Sequence, residues 1–153
     1  MKNLLQKALF LLRGQSAARH VIVHAHMFKN AGTTLDWSLQ RSFGEQHLDH
    51  RDDDRMREGA NYLTEFLQAQ PELEALSSHW ITFPLPTERK LQLHLLMMFR
   101  DPIERIRSVY AFERRQEPAE TPGSKKAKQL SFKDYVKWQL EPMPGPVVKN
   151  FHT

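Results

Sequence analysis

Residues 20–34 read HVIVHAHMFKNAGTT, and this stretch decides the fold. Its β-branched centre predicts a short buried strand over 20–26. A loop over 27–31 then leads into a helix over 32–43, where Gly44 is placed to cap the last turn. A strand, a loop and a helix in direct succession are the first half of a parallel α/β unit.

A second strand, loop and helix follow later in the chain. An almost continuous apolar run over 91–99 predicts a strand that is covered on both faces. Asp101 caps the next helix, Pro102 suits its first turn and Glu104 completes a capping box. Two such units predict a central parallel sheet, whose ligands bind at the carboxyl ends of the strands.

The rest of the chain divides into shorter segments. Between the two units the sequence predicts a polar surface loop over 45–58, a helix over 56–70, a helical turn over 72–76 and a short strand over 77–83. Prolines, a glycine and charged residues predict a mobile loop over 116–129. Ser131 then caps a helix over 132–140, after which three prolines hold the chain extended.

The first 19 residues contain a leucine-rich segment that polar residues interrupt. It is too short to cross a membrane, so no transmembrane span is expected. Leu5, Leu9 and Leu12 share one helical face and predict an amphipathic helix over 1–19 that packs on the domain. Residues 20–153 are then expected to form one α/β domain.

Charge and composition narrow the classes of partner. The net charge is +4 and favours anionic partners such as nucleotides, sulfated sugars or nucleic acid. The sequence has no cysteine, which excludes disulfides, thiolate zinc sites and cysteine nucleophiles. Such a composition fits a reducing compartment, and we expect a cytoplasmic protein.

The loop between the first strand and the first helix has the elements of an anion site. Backbone amides at a helix start attract anions, Gly32 permits close approach, and Thr33 and Thr34 add hydroxyl donors. Lys29 adds a mobile positive charge. The loop does not have the Walker A pattern, because its lysine precedes the glycine. An ordinary strand-to-helix turn capped by Thr33 is the alternative.

The second loop, FRDPIERIRSVY over 99–110, places an arginine where a helix begins. Arg100 can make a bidentate contact with a phosphate, and Ser108, about two turns along the helix, can donate to the same group. The alternative is a capped helix whose arginines form surface pairs with Glu104 and Glu113.

Together the two loops resemble the signature of the sulfotransferase superfamily, Pro-Lys-Thr-Gly/Ala-Gly-Thr-Thr followed by Arg-Asp-Pro-x-x-Arg-x-x-Ser-x-Tyr. They are most similar to the carbohydrate branch, which includes the Golgi-type heparan sulfate 2-O and 6-O enzymes and bacterial relatives. The resemblance implies a P-loop-like, three-layer α/β/α fold. It departs from the family pattern at Phe28, where proline is usual, and at Asn30, where threonine or serine is usual.

The resemblance implies 3′-phosphoadenosine 5′-phosphosulfate (PAPS) as the sulfuryl donor and no metal. Residues matching the loop for the 5′-phosphosulfate are Lys29, Asn30, Ala31, Gly32, Thr33 and Thr34. Arg100 and Ser108 match the residues for the 3′-phosphate, and Lys29 is expected to assist departure of the leaving group.

The segment SSHWITF over 77–83 resembles the Ser-Gly-His-x-x-Phe/Tyr segment that supplies the general base in the carbohydrate branch. It implies that His79 takes the proton of the acceptor hydroxyl, as a neutral imidazole can near pH 7. A histidine buried beside Trp80 is the alternative, and a glutamate base, Glu45 or Glu58, stays open.

Other histidines are interpreted as structural. Those at 20, 24 and 26 flank or alternate along the first strand, and His94 lies in the later strand. The segment HLDHRDDD over 47–54 permits a divalent ion. Two arginines sit in and beside it and its spacing matches no familiar site, so a solvated loop is favoured.

The resemblance covers about 20–153, the N-terminal portion of a typical catalytic domain, and implies a fold incomplete at its C-terminus. A truncated gene, a fragment, an oligomer and a completing partner all stay open. The leading hypothesis is sulfuryl transfer to a carbohydrate hydroxyl, with no nucleic-acid partner. The alternatives are a kinase-like P-loop protein and a non-enzymatic basic module that binds an anionic polymer. A eukaryotic relative would be Golgi- or membrane-associated.

Overall fold

The computed structural model describes residues 18–51 and 53–141. Four strands form one all-parallel sheet in the order β2-β3-β1-β4. The strands are β1 (Arg19–Ala25), β2 (His47–Asp49), β3 (Ala75–Ser78) and β4 (Leu91–Met97). The predicted α/β fold with a central parallel sheet is therefore confirmed, whereas its P-loop-like character and its incompleteness stay predictions.

Five α-helices accompany the strands in the described part of the chain. They are α1 (Gly32–Phe43), α2 (Ala60–Ala69), α3 (Pro102–Arg115), α4 (Pro122–Gln129) and α5 (Phe132–Leu140). Two short 3-10 helices, Gly44–Gln46 and Asp54–Glu58, flank β2. Within the residues that the structure describes, no helix is long and apolar enough to cross a membrane.

The described residues group into two compact units. The sheet unit comprises 18–27, 31–51 and 53–98, and the helical unit comprises 28–30 and 99–141.

Strand β1, one of the two inner strands of the sheet, is buried on both faces, as parallel strands usually are. Val21 and Val23 belong to an apolar cluster that includes Leu63 and Leu67 of α2. On the opposite face, Ile22 packs in a cluster with residues of α1. Because side chains alternate along a strand, the histidines at 20, 24 and 26 lie on the same face as Ile22.

In the helical unit, each helix begins with a capping side chain. Asp101, Thr121 and Ser131 accept hydrogen bonds from backbone amides in the first turns of α3, α4 and α5. The caps predicted at Asp101 and Ser131 are confirmed. Tyr135 of α5 is fully buried, and its ring lies 5.1 Å from that of Tyr110 on α3.

Several sequence-based elements are wrong. The segment 45–58 contains strand β2 and not a loop alone, and no helical turn occupies 72–76, because β3 begins at Ala75. The segment 116–129, predicted to be a mobile loop, contains α4. Ser124 and Ala127 of this helix are buried, and this burial stabilises it.

The later strand also differs from its prediction. β4 ends at Met97. Its side chains are half-buried or exposed, with Leu95 45% exposed, so among the described residues it is not covered on both faces. Trp37 of α1 is 62% exposed. The amphipathic helix predicted over 1–19 falls outside the described residues except for Ala18 and Arg19, and Arg19 begins β1. The prolines after residue 141 also lie outside them.

Candidate functional site

The turn after β1 has a special backbone. Lys29 and Ala31 have φ of 61° and 64°, in the left-handed region that residues other than glycine seldom occupy. Ala31 is the N-cap of α1 and makes no side-chain cap hydrogen bond, so Thr33 is not the cap. Such backbone strain often accompanies functional sites. The amides of Gly32 and Thr33 precede the first hydrogen bond of α1, in which the Thr34 amide donates to the Ala31 carbonyl oxygen at 3.1 Å. The side chains of Thr33 and Thr34 are exposed beside these amides.

Within the helical unit, α3 holds the turn that contains Lys29. The Lys29 ammonium lies 4.8 Å from the centroid of the Phe112 ring, which meets the Phe28 ring edge to face at 5.3 Å. Arg105 Nε donates to the carbonyl oxygen of Phe28 at 3.0 Å. Burial lowers the pKa of Arg105. Arg105 was given no role from the sequence, although its place in the Arg-Asp-Pro-x-x-Arg pattern was an available signal.

Asn30 completes this turn. Its side chain is 3% exposed, and its Oδ1 atom has no hydrogen-bond partner among the described residues. A buried amide oxygen without a donor is costly, so a donor from a ligand or from water would stabilise this turn.

The predicted residues for the 3′-phosphate lie on and just before α3. Arg100 is partly exposed, and its Nη2 atom is 3.8 Å from a carboxylate oxygen of Glu104. Arg107 binds the other oxygen of Glu104 at 2.6 Å. Exposed pairs of this kind contribute little to stability, so Arg100 can exchange Glu104 for another anion at low cost. Ser108 is half-buried.

In the sheet unit, His79 follows the carboxyl end of β3. Its Nδ1 atom lies 2.7 Å from the backbone oxygen of His26. A carbonyl only accepts, so Nδ1 carries the proton and donates it, and in the neutral ring the lone pair is on Nε2. The His79 ring is half-buried, 4.5 Å from the His26 ring and 6.4 Å from the Trp80 ring.

A buried group of three side chains, which we call the His–Asp cluster, consists of His24, His26 and Asp36. His24 Nδ1 donates to Asp36 Oδ1 at 2.8 Å, and His26 Nδ1 lies 2.7 Å from Asp36 Oδ2. The three residues are 1%, 5% and 7% exposed. Burial raises the pKa of Asp36, but contacts with His24, His26 and Ser77 outweigh it and hold that pKa well below its ordinary value. Asp36 is therefore a carboxylate at neutral pH.

A hydrogen-bonded chain extends from this cluster to β2. His24 Nδ1 and His47 Nε2 both lie 3.0 Å from Ser77 Oγ. His47 Nδ1 lies 3.0 Å from Gln40 Oε1 and donates to it, so the Ser77 hydroxyl donates to His47 Nε2. Burial lowers the pKa of His47, which agrees with a neutral ring.

This network was not predicted from the sequence. The histidines at 20, 24 and 26 were interpreted as structural, His47 was placed in a surface loop, and Asp36 was given no role. The available signal was the alternation of histidines at 20, 24 and 26, which places them on one side of β1 and of the residue after it, together with an aspartate on the helix that follows.

The remaining candidates lie on the surface. Glu45 and Glu58 are exposed, and Glu58 accepts from Arg55 at 3.1 Å. In the segment weighed as a metal site, His50 Nε2 lies 2.7 Å from Asp53 Oδ2, and Arg51 pairs with Asp49. These four residues line an open concavity of about 450 Å³.

The sequence-predicted residues fall into both compact units. The sheet unit holds Ala31, Gly32, Thr33, Thr34 and His79, and the helical unit holds Lys29, Asn30, Arg100 and Ser108. Their roles toward a nucleotide stay predictions.

Comparisons with known proteins add one relative. The chain is 30% identical to an uncharacterized protein of Archaeoglobus fulgidus in an alignment of 141 residues, which covers 88% of the chain and 55% of that protein. The chain thus spans about half the length of this relative. No family model and no solved structure matches the chain.

Proposed function

We propose that this chain binds PAPS and takes part in sulfuryl transfer to a hydroxyl group of a carbohydrate. The observation that carries the proposal is the turn between β1 and α1. Two left-handed residues, Lys29 and Ala31, lead directly into a helix start with exposed hydroxyls at Thr33 and Thr34. Helix amides, hydroxyls and an ammonium group in direct succession suit an anion such as a phosphosulfate.

The proposal gives each group one task. His79 Nε2 takes the proton from the acceptor hydroxyl, and the hydroxyl oxygen then forms a bond to sulfur as the bond from sulfur to the phosphate oxygen breaks. Lys29 stabilises the negative charge that develops on the departing phosphate. Arg100 and Ser108 bind the 3′-phosphate, so a nucleotide without that group, such as ATP, binds poorly.

The tautomer of His79 supports its task. A general base needs a neutral ring and a lone pair directed at the hydroxyl. The hydrogen bond from His79 Nδ1 to the backbone oxygen of His26, 2.7 Å long, leaves the lone pair on Nε2. Because the partner is a backbone atom, this orientation survives most substitutions of the His26 side chain.

Binding is the first property to test, because the chain covers 55% of its relative and transfer can require more than these residues. Calorimetry would measure the affinity of adenosine 3′,5′-bisphosphate for the wild-type chain, Lys29→Ala and Arg100→Ala. Both substitutions are expected to weaken binding by about tenfold or more, about 1.4 kcal/mol. Lys133→Ala removes an exposed cation of the helical unit and should bind like the wild type.

Two results would contradict the proposal. A folded wild-type chain that does not bind the bisphosphate lacks the nucleotide site. Magnesium-dependent binding of ATP at similar affinity would favour a kinase-like protein. If the bisphosphate binds, transfer of labelled sulfate to a panel of oligosaccharides follows, with His79→Gln expected to keep the affinity and lose the transfer.

A further inference from the structure

The His–Asp cluster has the composition and spacing of a metal site. One ligand atom from each of His24, His26 and Asp36 lies within 4.8 Å of the others. His24 lies in β1 and His26 follows the strand directly, so the two histidines are two residues apart and lie on the same side of the chain, and Asp36 comes from α1 on that side. Two imidazole nitrogens and one carboxylate oxygen suit Zn²⁺ and the divalent ions of iron, cobalt and nickel.

Hydrogen bonds among the described residues do not account for every atom of the cluster. His24 Nε2, His26 Nδ1 and Asp36 Oδ2 are buried and have no hydrogen-bond partner there. His26 Nδ1 and Asp36 Oδ2 are only 2.7 Å apart, yet the pair does not have hydrogen-bond geometry. Buried polar atoms without partners are costly, and an ion bound by both atoms would satisfy them.

The surroundings fit a bound cation as well. Asp36 supplies the negative charge, and Ser77 Oγ, 3.0 Å from His24 Nδ1, lies at the rim of the cluster. Ser77 in turn hydrogen-bonds to His47, and His47 hydrogen-bonds to Gln40, so these residues form a second layer around the cluster. Polar groups arranged behind the ligands are a regular feature of metal sites, where they fix the orientation of the imidazole rings.

We propose that the His–Asp cluster binds one divalent transition-metal ion, with His24, His26 and Asp36 as its ligands. The ion is distinct from the anionic ligand of the proposed function, and the proposal does not rest on that function. With three protein ligands, the ion keeps at least one position for a water molecule or a ligand atom.

The test titrates the full chain, stripped of metal by a chelator, with Co²⁺ and then with competing Zn²⁺. We expect one Co²⁺ per chain with visible absorption, displaced by Zn²⁺. Substitution of a residue that only hydrogen-bonds to a metal ligand lowers metal affinity by about 10–100-fold. His26 and Asp36 are proposed as ligands themselves, so His26→Gln and Asp36→Asn should each weaken binding by at least about tenfold. His50→Gln is the matched control, because His50 pairs with Asp53 at the same 2.7 Å distance but is partly exposed.

Circular dichroism would establish that each variant is folded. If Asp36→Asn does not fold, His26→Gln and NMR of the wild-type chain test the proposal. Zn²⁺ should then shift the imidazole signals of His24 and His26 and leave the imidazole signal of His50 unchanged. The proposal is overturned if the folded wild-type chain binds neither ion in a defined ratio. It is equally overturned if the cluster variants bind like the wild type, which would mean an adventitious ion only.

Discussion

The His26 imidazole occupies the space that a side chain on Gly32 would need. A Cβ atom on Gly32 would lie 2.2 Å from Cδ2 and 2.3 Å from Nε2 of that ring. Both residues belong to the sheet unit, so the first residue of α1 and the residue after β1 are in direct contact. The glycine of the Gly-Thr-Thr sequence therefore has a packing role in addition to the expected approach of an anion.

Gly32→Ala is expected to destabilise the chain by about 1–3 kcal/mol, because a buried ring and the helix start must move apart. Urea denaturation would measure the loss. The loss should be clearly smaller when the same substitution is made in a His26→Ala background, because the ring is then absent. Equal losses in the two backgrounds would show that the contact with His26 is not the cause.

The sequence predicted correctly those secondary-structure elements that depend on residues close together in the chain. The β-branched centre of β1 and the caps at Asp101 and Ser131 are examples, since a cap needs only the residues beside it. β2 has just three residues, His47–Asp49, and its strand character comes from pairing with β3, which lies far away in sequence. α4 was predicted to be a loop because its proline, glycine and charged residues are typical of loops.

The residues of the candidate site also fall into two groups, those that a local motif predicts and those that only packing brings together. The turn at Lys29 and the base candidate His79 follow motifs that can be read along the chain. The partnership of His24 with Asp36 depends on which face of α1 packs on which face of β1. Periodicity gives each face separately, but only the packed structure brings the two faces together.

Ala31→Gly is expected to stabilise the chain by about 0.5–1 kcal/mol, because Ala31 has a φ of 64° and glycine adopts this region without steric cost. Thermal denaturation would show a higher midpoint. Ala69→Gly, at the last residue of α2, should have the opposite sign, since glycine is the poorer helix former. A lower midpoint for Ala31→Gly would mean that the turn does not strain an alanine.

Arg19 ties β1 to the region at the end of α2. Its guanidinium donates to the carbonyl oxygens of Leu67, Gln70 and Leu73 at 2.7, 2.7 and 2.6 Å. Because one guanidinium donates to three backbone oxygens, of which that of Leu67 lies in the last turn of α2, Arg19→Ala should cost about 2–3 kcal/mol. Arg19→Lys should recover only part of this, because an ammonium lacks the planar fork.

Urea denaturation of both variants would measure these losses. Arg89→Ala removes an exposed arginine of the same unit and should change stability by no more than about 0.5 kcal/mol. If Arg19→Ala behaves like Arg89→Ala, the three hydrogen bonds do not contribute.

His20 of β1 and His94 of β4 contact each other across these neighbouring strands. His20 Nδ1 and His94 Nε2 are 2.9 Å apart, and two imidazoles share such a hydrogen bond only if one nitrogen is unprotonated. Burial, and then the charge of His20, lower the pKa of His94 from its ordinary 6.5. The folded chain thus binds this proton less readily than the unfolded chain, and His94 favours the folded state fully above pH 6.5. That contribution is lost as the pH falls through the lowered pKa.

Urea denaturation at about pH 7.5 and about pH 5 would measure this dependence for the wild-type chain and for His94→Gln, which keeps a polar side chain but does not titrate. The loss of stability on acidification should be smaller for the variant, because the remaining histidines are common to both chains. The same loss in both chains would show that His94 does not contribute to the acid sensitivity of the fold.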